Sequence, residues 1–529
     1  MQQTVTESST SPWTPFSITA FRNIWIATLV SNIGSGMQEM GGGWLMTELT
    51  TSPVMVALVQ TAFSIPAFFL AIPAGALADI FDRRVYLMAT IMWMMLAAMV
   101  LGVFTIAGLT NEWILLIMTF ALGTGMAMMI PALAAITPEL VPRPELHKAI
   151  SLNAIGMNVS RVIGPAIAGL IIIALGIGAV FIINGLSFLV VLYVLWKWNR
   201  TEIKSNLPAE RFMSAVRTGV RFTFHSPALQ ATLVRCFGFF IFGSALWSLM
   251  PLVARDLLAG GPRTLSLLYA TFGIGAISSA LFLPRLRTTF TSDQIVAGAT
   301  VTFSLALFTI SQISHLLMAF VLMMICGASW ITVISMVITA GQLSLPNWVR
   351  SRGLSVLTAI LMGSLAIGSV IWGNVAKFTS LSVSLSSASL FAVISILITW
   401  RWHISGIEKI DLTPSMHWNT PVTHDQITHV RGPVMVIVDY RLKPENINEF
   451  LTLVHELGRS RRRDGAYAWD VMEDVRDPAH YIEYYMVESW VEHLRQHERV
   501  TNTERMIQEK IVQLLQDGNS PEVRHFIGT

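Results

Sequence analysis

The dominant pattern along the chain is a series of apolar runs of about 20 residues, the length a helix needs to cross a bilayer, separated by polar connections. The runs fall at Ile24–Met46, Val54–Leu77, Tyr86–Leu109, Trp113–Thr137, Ile150–Leu175 and Val180–Trp196. After a longer polar connection they resume at Leu229–Val253, Leu265–Pro284, Ile295–Ser314, Leu317–Leu343, Leu354–Ala376 and Val383–Trp400. Together they predict an all-α polytopic membrane protein with twelve helices in two six-helix halves. Near Ser405 the pattern changes. Val434–Arg441, Tyr467–Glu473, Tyr481–Glu488 and Val523–Phe526 read as strands, and Pro444–Arg462 and Trp490–Gln516 as helical. This βαββαβ order predicts a ferredoxin-like α+β domain. The expected domains are a segment at 1–20, a bundle at 21–200, a linker at 201–228, a bundle at 229–404, a linker at 405–429 and the α+β domain at 430–529.

Composition sharpens this division. The 529 residues are 53% hydrophobic and 13% charged, where an ordinary globular domain carries about 25% charged residues, so water is not the main solvent of most of the chain. Arg83/Arg84, Arg143/Lys148, Lys197/Arg200/Lys204, Arg285/Arg287, Arg350/Arg352 and Arg401 fall on alternate loops. Cytoplasmic loops carry the Lys/Arg excess, which places both termini and the tail in the cytoplasm. No basic n-region with an apolar core opens the chain, so the first span is expected to act as the insertion signal. Within the first linker, Ala209–His225 spaces Phe212, Val216, Val220 and Phe224 four apart beside Arg217 and Arg221, as in a helix lying at the membrane interface.

Candidate chemistry lies mostly inside the spans. Asn32, Ser35/Gly36, Glu39 and Gly43 share one face of the first helix, and that face is expected to line a central cavity. Arg161 falls at the middle of the fifth span, where a charge costs roughly 2.5–3.5 kcal/mol unless it meets a cavity or a partner. Glu39 is its obvious acidic partner and a candidate proton carrier, so both are proton-coupling candidates. Gln60, Asn153, Asn158, Asn184 and Gln342 are polar cavity candidates, as are Arg235, Trp247, Trp330 and Trp372, although membrane tryptophans are commonly packing or belt residues. Cys236 and Cys326 give no disulfide or zinc spacing, and no metal site or cofactor is expected. Without a G-x-x-x-x-G-K-S/T loop, ATP is disfavoured and a proton gradient is the expected energy source.

Two motifs carry a resemblance. Gly75, Leu77, Asp79, Arg83 and Arg84, between the second and third spans, resemble the G-x-L-a-D-r-x-G-R-R/K loop of the major facilitator superfamily, with Asp82 in place of the usual Gly and Ile80 in place of Arg. The resemblance implies a gating clamp of charge-assisted contacts to helix ends. In the fifth span Gly156, Ser160, Gly164, Pro165, Ala168 and Gly169 resemble the superfamily's antiporter motif, which is associated with exporters. The same small residues, spaced by four, also make a helix-packing groove. The stretches Ser31–Gly34, Trp44–Met46 and Val56–Gln60, with Pro66, look like the transmembrane secretion effector branch that includes enterobactin exporters.

In the tail, Ser489–Thr501 is similar to an extension found on part of that branch, and the domain resembles antibiotic-biosynthesis monooxygenase-like modules, which commonly dimerise. A possible homodimer through the tail follows from the resemblance. His493, His497 and Arg499 on one helix read chiefly as a solvated or interface face, with catalysis a minor alternative. Arg459 and Arg461–Arg463 read as a solvated helix end near anionic lipid. The expected function is proton-coupled export of a siderophore, drug or other amphipathic small molecule across a bacterial inner membrane, with the lipid bilayer as surroundings and no nucleic-acid partner. A membrane-tethered enzyme or sensor, and an importer of the same fold, are the alternatives.

Overall fold

The computed structural model describes residues 11–198, 212–346, 348–407, 411–415, 417–418, 431–516 and 521–528, without the side chains of residues 76, 79, 80, 135, 143 and 212–218. Asp79, Phe212, Val216 and Arg217 therefore have no described side chain, and residues 201–211 and 419–430, parts of the expected linkers and the residue after the second, lie outside the described residues.

The first half consists of α1 (Thr19–Leu49), α2 (Pro53–Ile80), α3 (Arg83–Ile106), α4 (Glu112–Leu140), α5 (Leu146–Leu175) and α6 (Ile177–Lys197). A linker helix, α7 (Phe212–His225), precedes α8 (Pro227–Leu252), α9 (Pro262–Thr289), α10 (Ser292–Ile310), α11 (Leu316–Leu343), α12 (Arg350–Phe378) and α13 (Leu381–Ile398). Among the described residues, 11 helices are long and apolar enough to cross a membrane. Helix α1, at 31 residues, is long enough, but its glycines and its Gln38–Glu39 pair lower its hydropathy. Each helix begins a few residues before its predicted apolar run, because caps set the start, whereas α3, α10 and α13 end short of theirs at Ile106, Ile310 and Ile398. Asp82, for instance, accepts from Val85 N at 2.9 Å, and Asn111 from Ile114 N at 2.9 Å, so each opens its helix as an N-cap. Proline inside α2, α4, α5, α8 and α9 removes backbone donors within the bundle.

By contacts the chain divides into two compact units, the first holding residues 1–209, 233–337 and 357–402 and the second 210–232, 338–356 and 403–529. In the first, α1 packs on α5 and α6, α2 on α4, α3 on α6, and α5 reaches across to α9 of the other half. The first half closes round Ile91, Met94, Leu122, Ile136 and Phe188.

The second unit contains the tail: β1 (Val434–Arg441), α14 (Ile447–Asp464), β2 (Ala468–Glu473), β3 (His480–Val487), α15 (Trp490–Arg499), α16 (Asn502–Gln513) and β4 (Glu522–Ile527). Its antiparallel sheet has the order β2-β3-β1-β4. The predicted strands are present, and the single predicted helical region at Trp490–Gln516 is two helices, because Thr501 caps α16 and ends the run. Val434, Val436, Val438 and Tyr440 alternate into a core with Phe450, Val454 and Tyr485. On α7, Phe222 is buried against Trp348 at 5.8 Å, while Val220 and Phe224 face outward.

At the end of α14, expected to be solvated, Arg459 and Arg462 are exposed, but Arg461 is buried and Arg463 half-buried. Arg461 lies 3.3 Å from the buried Glu483 and Arg463 2.8 Å from Asp464, with a further bond to Glu504. Asp464 is the neighbouring residue on α14, but Glu483 and Glu504 come from β3 and α16, and that pairing makes burial of the arginines tolerable.

At the start of β3, His480 bridges two carboxylates, Nε2 at 2.8 Å from Asp439 and Nδ1 at 3.0 Å from Asp474. The bond to Asp474, and then that to Asp439, hold its imidazolium above the ordinary histidine range. A base whose folded value lies above its unfolded one contributes stability that is complete below about pH 6.5 and lost as pH rises through the folded value. The unfolding temperature of the tail is therefore expected to fall across that window, and His480→Gln to flatten the fall; equal slopes in thermal melts of the two proteins would contradict this.

Candidate functional site

In the first unit, one face of α1 carries Ser35, Gln38, Glu39, Gly42 and Gly43 into a cavity between the two halves. Helix α2 adds Val59, Gln60 and Phe63, α6 adds Asn184, and the other half contributes Trp247, Ser248 and Pro251 from α8 and Tyr269 from α9. The cavity holds about 60 Å³, room for about two waters at roughly 30 Å³ each.

Glu39 is its only acidic lining residue among the described residues. Its Oε1 accepts the indole N–H of Trp247 at 2.7 Å, so this bond joins the two halves. The indole is held in place by stacking on Trp330 at 5.7 Å and by edge contacts with Phe272 at 5.0 Å and Tyr269 at 5.6 Å. Arg161, on α5, attracts Glu39 through space, but among the described contacts no ion pair within 4 Å joins them. Arg161 is surface-accessible and is not among the residues that line the cavity. Beside the carboxylate, Gln38 accepts from Asn184 at 2.9 Å and ties α1 to α6.

The other candidates separate by location. Gln60, Trp247 and Asn184 line the cavity, and Gln60 donates to Ser64 at 2.8 Å. Asn32 lines a smaller cleft within the first half, with Ile91 and Met129. Asn153 donates to Thr137 at 3.3 Å, Asn158 is half-buried on α5, and Gln342 is exposed. Trp330 sits in an aromatic cluster with Phe239, Phe240 and Phe303, and Trp372 donates to the Ile241 carbonyl at 2.9 Å, so both pack the second half. Arg235 is 4% exposed and bonds the Trp402 carbonyl at 3.0 Å and Asp293 at 3.5 Å, which fastens helix ends rather than lining the cavity. Tyr269 and Gln38 were missed by sequence reasoning; only the neighbour of Glu39 carried a signal, as the next residue on the cavity face.

At the start of α3, Arg83 bonds Glu139 of α4 at 2.7 Å and Arg84 bonds the Trp196 carbonyl of α6. Gly75 and Leu77 lie in the last turns of α2. Asp82, the departure from the expected glycine, caps α3. In α5 the small residues pack on α1: Trp25 lies over Gly156 and donates to the Leu152 carbonyl at 3.0 Å, and Ser160 bonds the Gly156 carbonyl at 2.9 Å. Gly164 meets the backbone of Gly36, and Gly169 meets Ser266 of α9. Pro165 is buried next to this contact.

In the tail, His493 and Arg499 are 1% and 5% exposed, so the expected solvated face is interior. Arg499 bonds Glu492 at 2.5 Å and the Asp464 carbonyl at 3.0 Å, and covers the Trp348 ring at 4.2 Å, a structural role. Burial, followed by the neighbouring cations, pushes His493 down to about 3 and His497 to about 4, so both are neutral at physiological pH.

The chain shares its fold with solved transporters. A bacterial homologue of the human lysosomal transporter Spinster, in an inward-facing and unoccupied conformation, superposes with TM-score 0.56 at 13% identity, covering 75% of this chain and 97% of that one. The chain belongs to the transmembrane secretion effector family, whose profile matches residues 10–529. The enterobactin exporter EntS of Salmonella typhi is 24% identical over 408 residues, 75% of this chain and 94% of the exporter. Macrolide efflux protein A of Streptococcus pyogenes is 23% identical over 265 residues, 50% of this chain. The match spans 58–65% of the length of the macrolide efflux protein and of a Bacillus subtilis relative.

A Cβ on Gly164 would lie 2.7 Å from the Ile33 carbonyl oxygen, whereas one on Gly298 of α10 would meet nothing within 4 Å. Gly164→Ala is therefore expected to cost about 1–3 kcal/mol through overpacking, and Gly298→Ala to be neutral or slightly stabilising. Equal unfolding temperatures for the two variants in detergent would remove the α1–α5 packing account.

Proposed function

We propose that this chain is a secondary active transporter that exports an amphipathic small molecule, a siderophore or drug, in exchange for protons across a bacterial inner membrane. The observation that carries the proposal is the Glu39–Trp247 bond, a carboxylate in one half held by an aromatic donor in the other at the edge of a central cavity. Ionisable groups inside spans mark ion and proton pathways. The enterobactin exporter and macrolide efflux relatives support efflux as the direction and bulky metabolites as cargo.

A drug-sized ligand needs about 300 Å³ or more, so the 60 Å³ cavity accepts cargo only after the lining helices move. Described contacts between the halves gather near the loops after α1 and α8: Arg255 donates to the Thr47 carbonyl at 2.6 Å, and Gly43 faces Pro251. In this reading that end is the outer gate, closed here, and the basic loops at the other end are cytoplasmic with both termini. Cargo enters from the cytoplasm. Protonation of Glu39 then weakens its bond to Trp247 and its attraction to Arg161, which favours the outward-open state.

The tail, in this reading, is a cytoplasmic ferredoxin-like module that pairs with a second copy. Its support is the sheet face away from the helices, where Met435 lies opposite both Met486 and Phe526, and Ile437 opposite Tyr484.

Two experiments test these claims. Cells expressing the chain are expected to accumulate less fluorescent drug or labelled siderophore, with the difference abolished by a protonophore and reduced at least tenfold by Glu39→Gln; full activity in that variant would remove Glu39 from coupling. Ile437→Glu is expected to abolish chemical crosslinking of the detergent-solubilised dimer, and a persistent dimer would place the contact elsewhere.

A further inference from the structure

Three imidazoles in the tail converge on one spot. His493 and His497 are four residues apart on α15, hence on one face, and their Nε2 atoms are 3.2 Å apart. Strand β4 supplies the third. His525 pairs with Val436, whose side chain is in the core, so it too points into the layer between sheet and helices. The ligand nitrogens of all three lie within 4.8 Å of one another.

We propose that His493, His497 and His525 bind one divalent first-row metal ion of the kind that neutral imidazole favours, with zinc as the reference ion. Nitrogens sharing a tetrahedral ion at about 2.0–2.1 Å lie about 3.3 Å apart, close to the separation of the two Nε2 atoms on α15. A modest turn of the His525 ring closes the set. A simple hydrogen-bonded histidine pair explains less, since it leaves the third ring unused and the buried His493 Nδ1 without a well-formed partner. Gln496, whose buried amide is likewise unsatisfied, is the acceptor that would orient His493 once its Nε2 is occupied. His497 is held in turn by the main chain of Trp418.

The surroundings suit such an ion. Trp490 at 5.3 Å from His493 and Trp418 at 5.1 Å from His497 wall the group, while His497 and His525 remain half-buried and reachable. Arg461, which covers Trp418 beside the group, has its charge balanced by the buried Glu483. Because β4 pairs only with β1 at the edge of the sheet, an ion held by α15 and His525 would fasten the last strand to the helix layer. Three protein ligands leave one position for water or an external group.

The test is a titration of untagged, chelator-stripped full-length protein in detergent with Zn2+ against a chromophoric chelator, and with Co2+ followed by visible absorption. One equivalent per chain, a tetrahedral Co2+ spectrum and a Zn2+-dependent rise in unfolding temperature are expected. His497→Ala and His525→Ala should each weaken binding at least tenfold and abolish the thermal shift, while their metal-free melts stay like that of the parent. If either variant unfolds early, Gln496→Ala, which spares all three ligands, is expected to weaken affinity with stoichiometry intact. Failure of the parent to bind one equivalent, or unchanged affinity in both His497→Ala and His525→Ala, overturns the site.

Discussion

A carboxylate within a membrane-embedded helix bundle has to be answered by other groups, and in this protein the answer to Glu39 is the Trp247 indole at 2.7 Å. Much of the first unit serves that contact. Trp247 can aim its N–H across the interface only because Trp330, Phe272 and Tyr269 hold its ring. Helix α1 can bring Glu39 to it only because glycines and small side chains let α1 lie close to α5 and α6. Arg161 adds attraction without an ion pair at close range, so the carboxylate is stabilised yet not locked.

The packing groove and the loop clamp are two uses of one constraint. Hydrocarbon supplies no hydrophobic drive for helices to associate, so close backbone approach and satisfied polar groups must do it. Gly156, Ser160 and Gly164 give the approach on α5, and Gly169 extends it to α9 of the other half. Arg83 and Arg84 then fasten the start of α3 to the ends of α4 and α6. A first half braced in this way suits the rigid-body rocking that the proposed alternating access would need.

The membrane helices were legible because their signal is local: an apolar run of the right length is complete in itself. The ends were less so, since caps such as Asp82 depend on single hydrogen bonds. The motif residues gave the fold family, and Glu39 could be placed on the cavity face from periodicity alone. What periodicity could not give was any pairing across the chain. Trp247 and Trp330 look alike in sequence, but one meets a carboxylate and the other fills a cluster. Arg461 and Arg463 read as surface charge because Glu483 and Glu504 come from other elements. His493 and His497 showed no metal spacing because the third imidazole arrives on a strand paired with β1.

The central claim is that the charge on Glu39 holds the two halves together at the end of the bundle carrying the loops after α1 and α8. The most direct measurement is the distance distribution between spin labels at two exposed positions, Thr51→Cys on the loop after α1 and Arg263→Cys in the first turn of α9, next to the loop after α8, in reconstituted protein across pH. The account predicts a growing long-distance population on acidification, and the same population at neutral pH when Glu39→Gln is added. A distribution that ignores both pH and that substitution would contradict it.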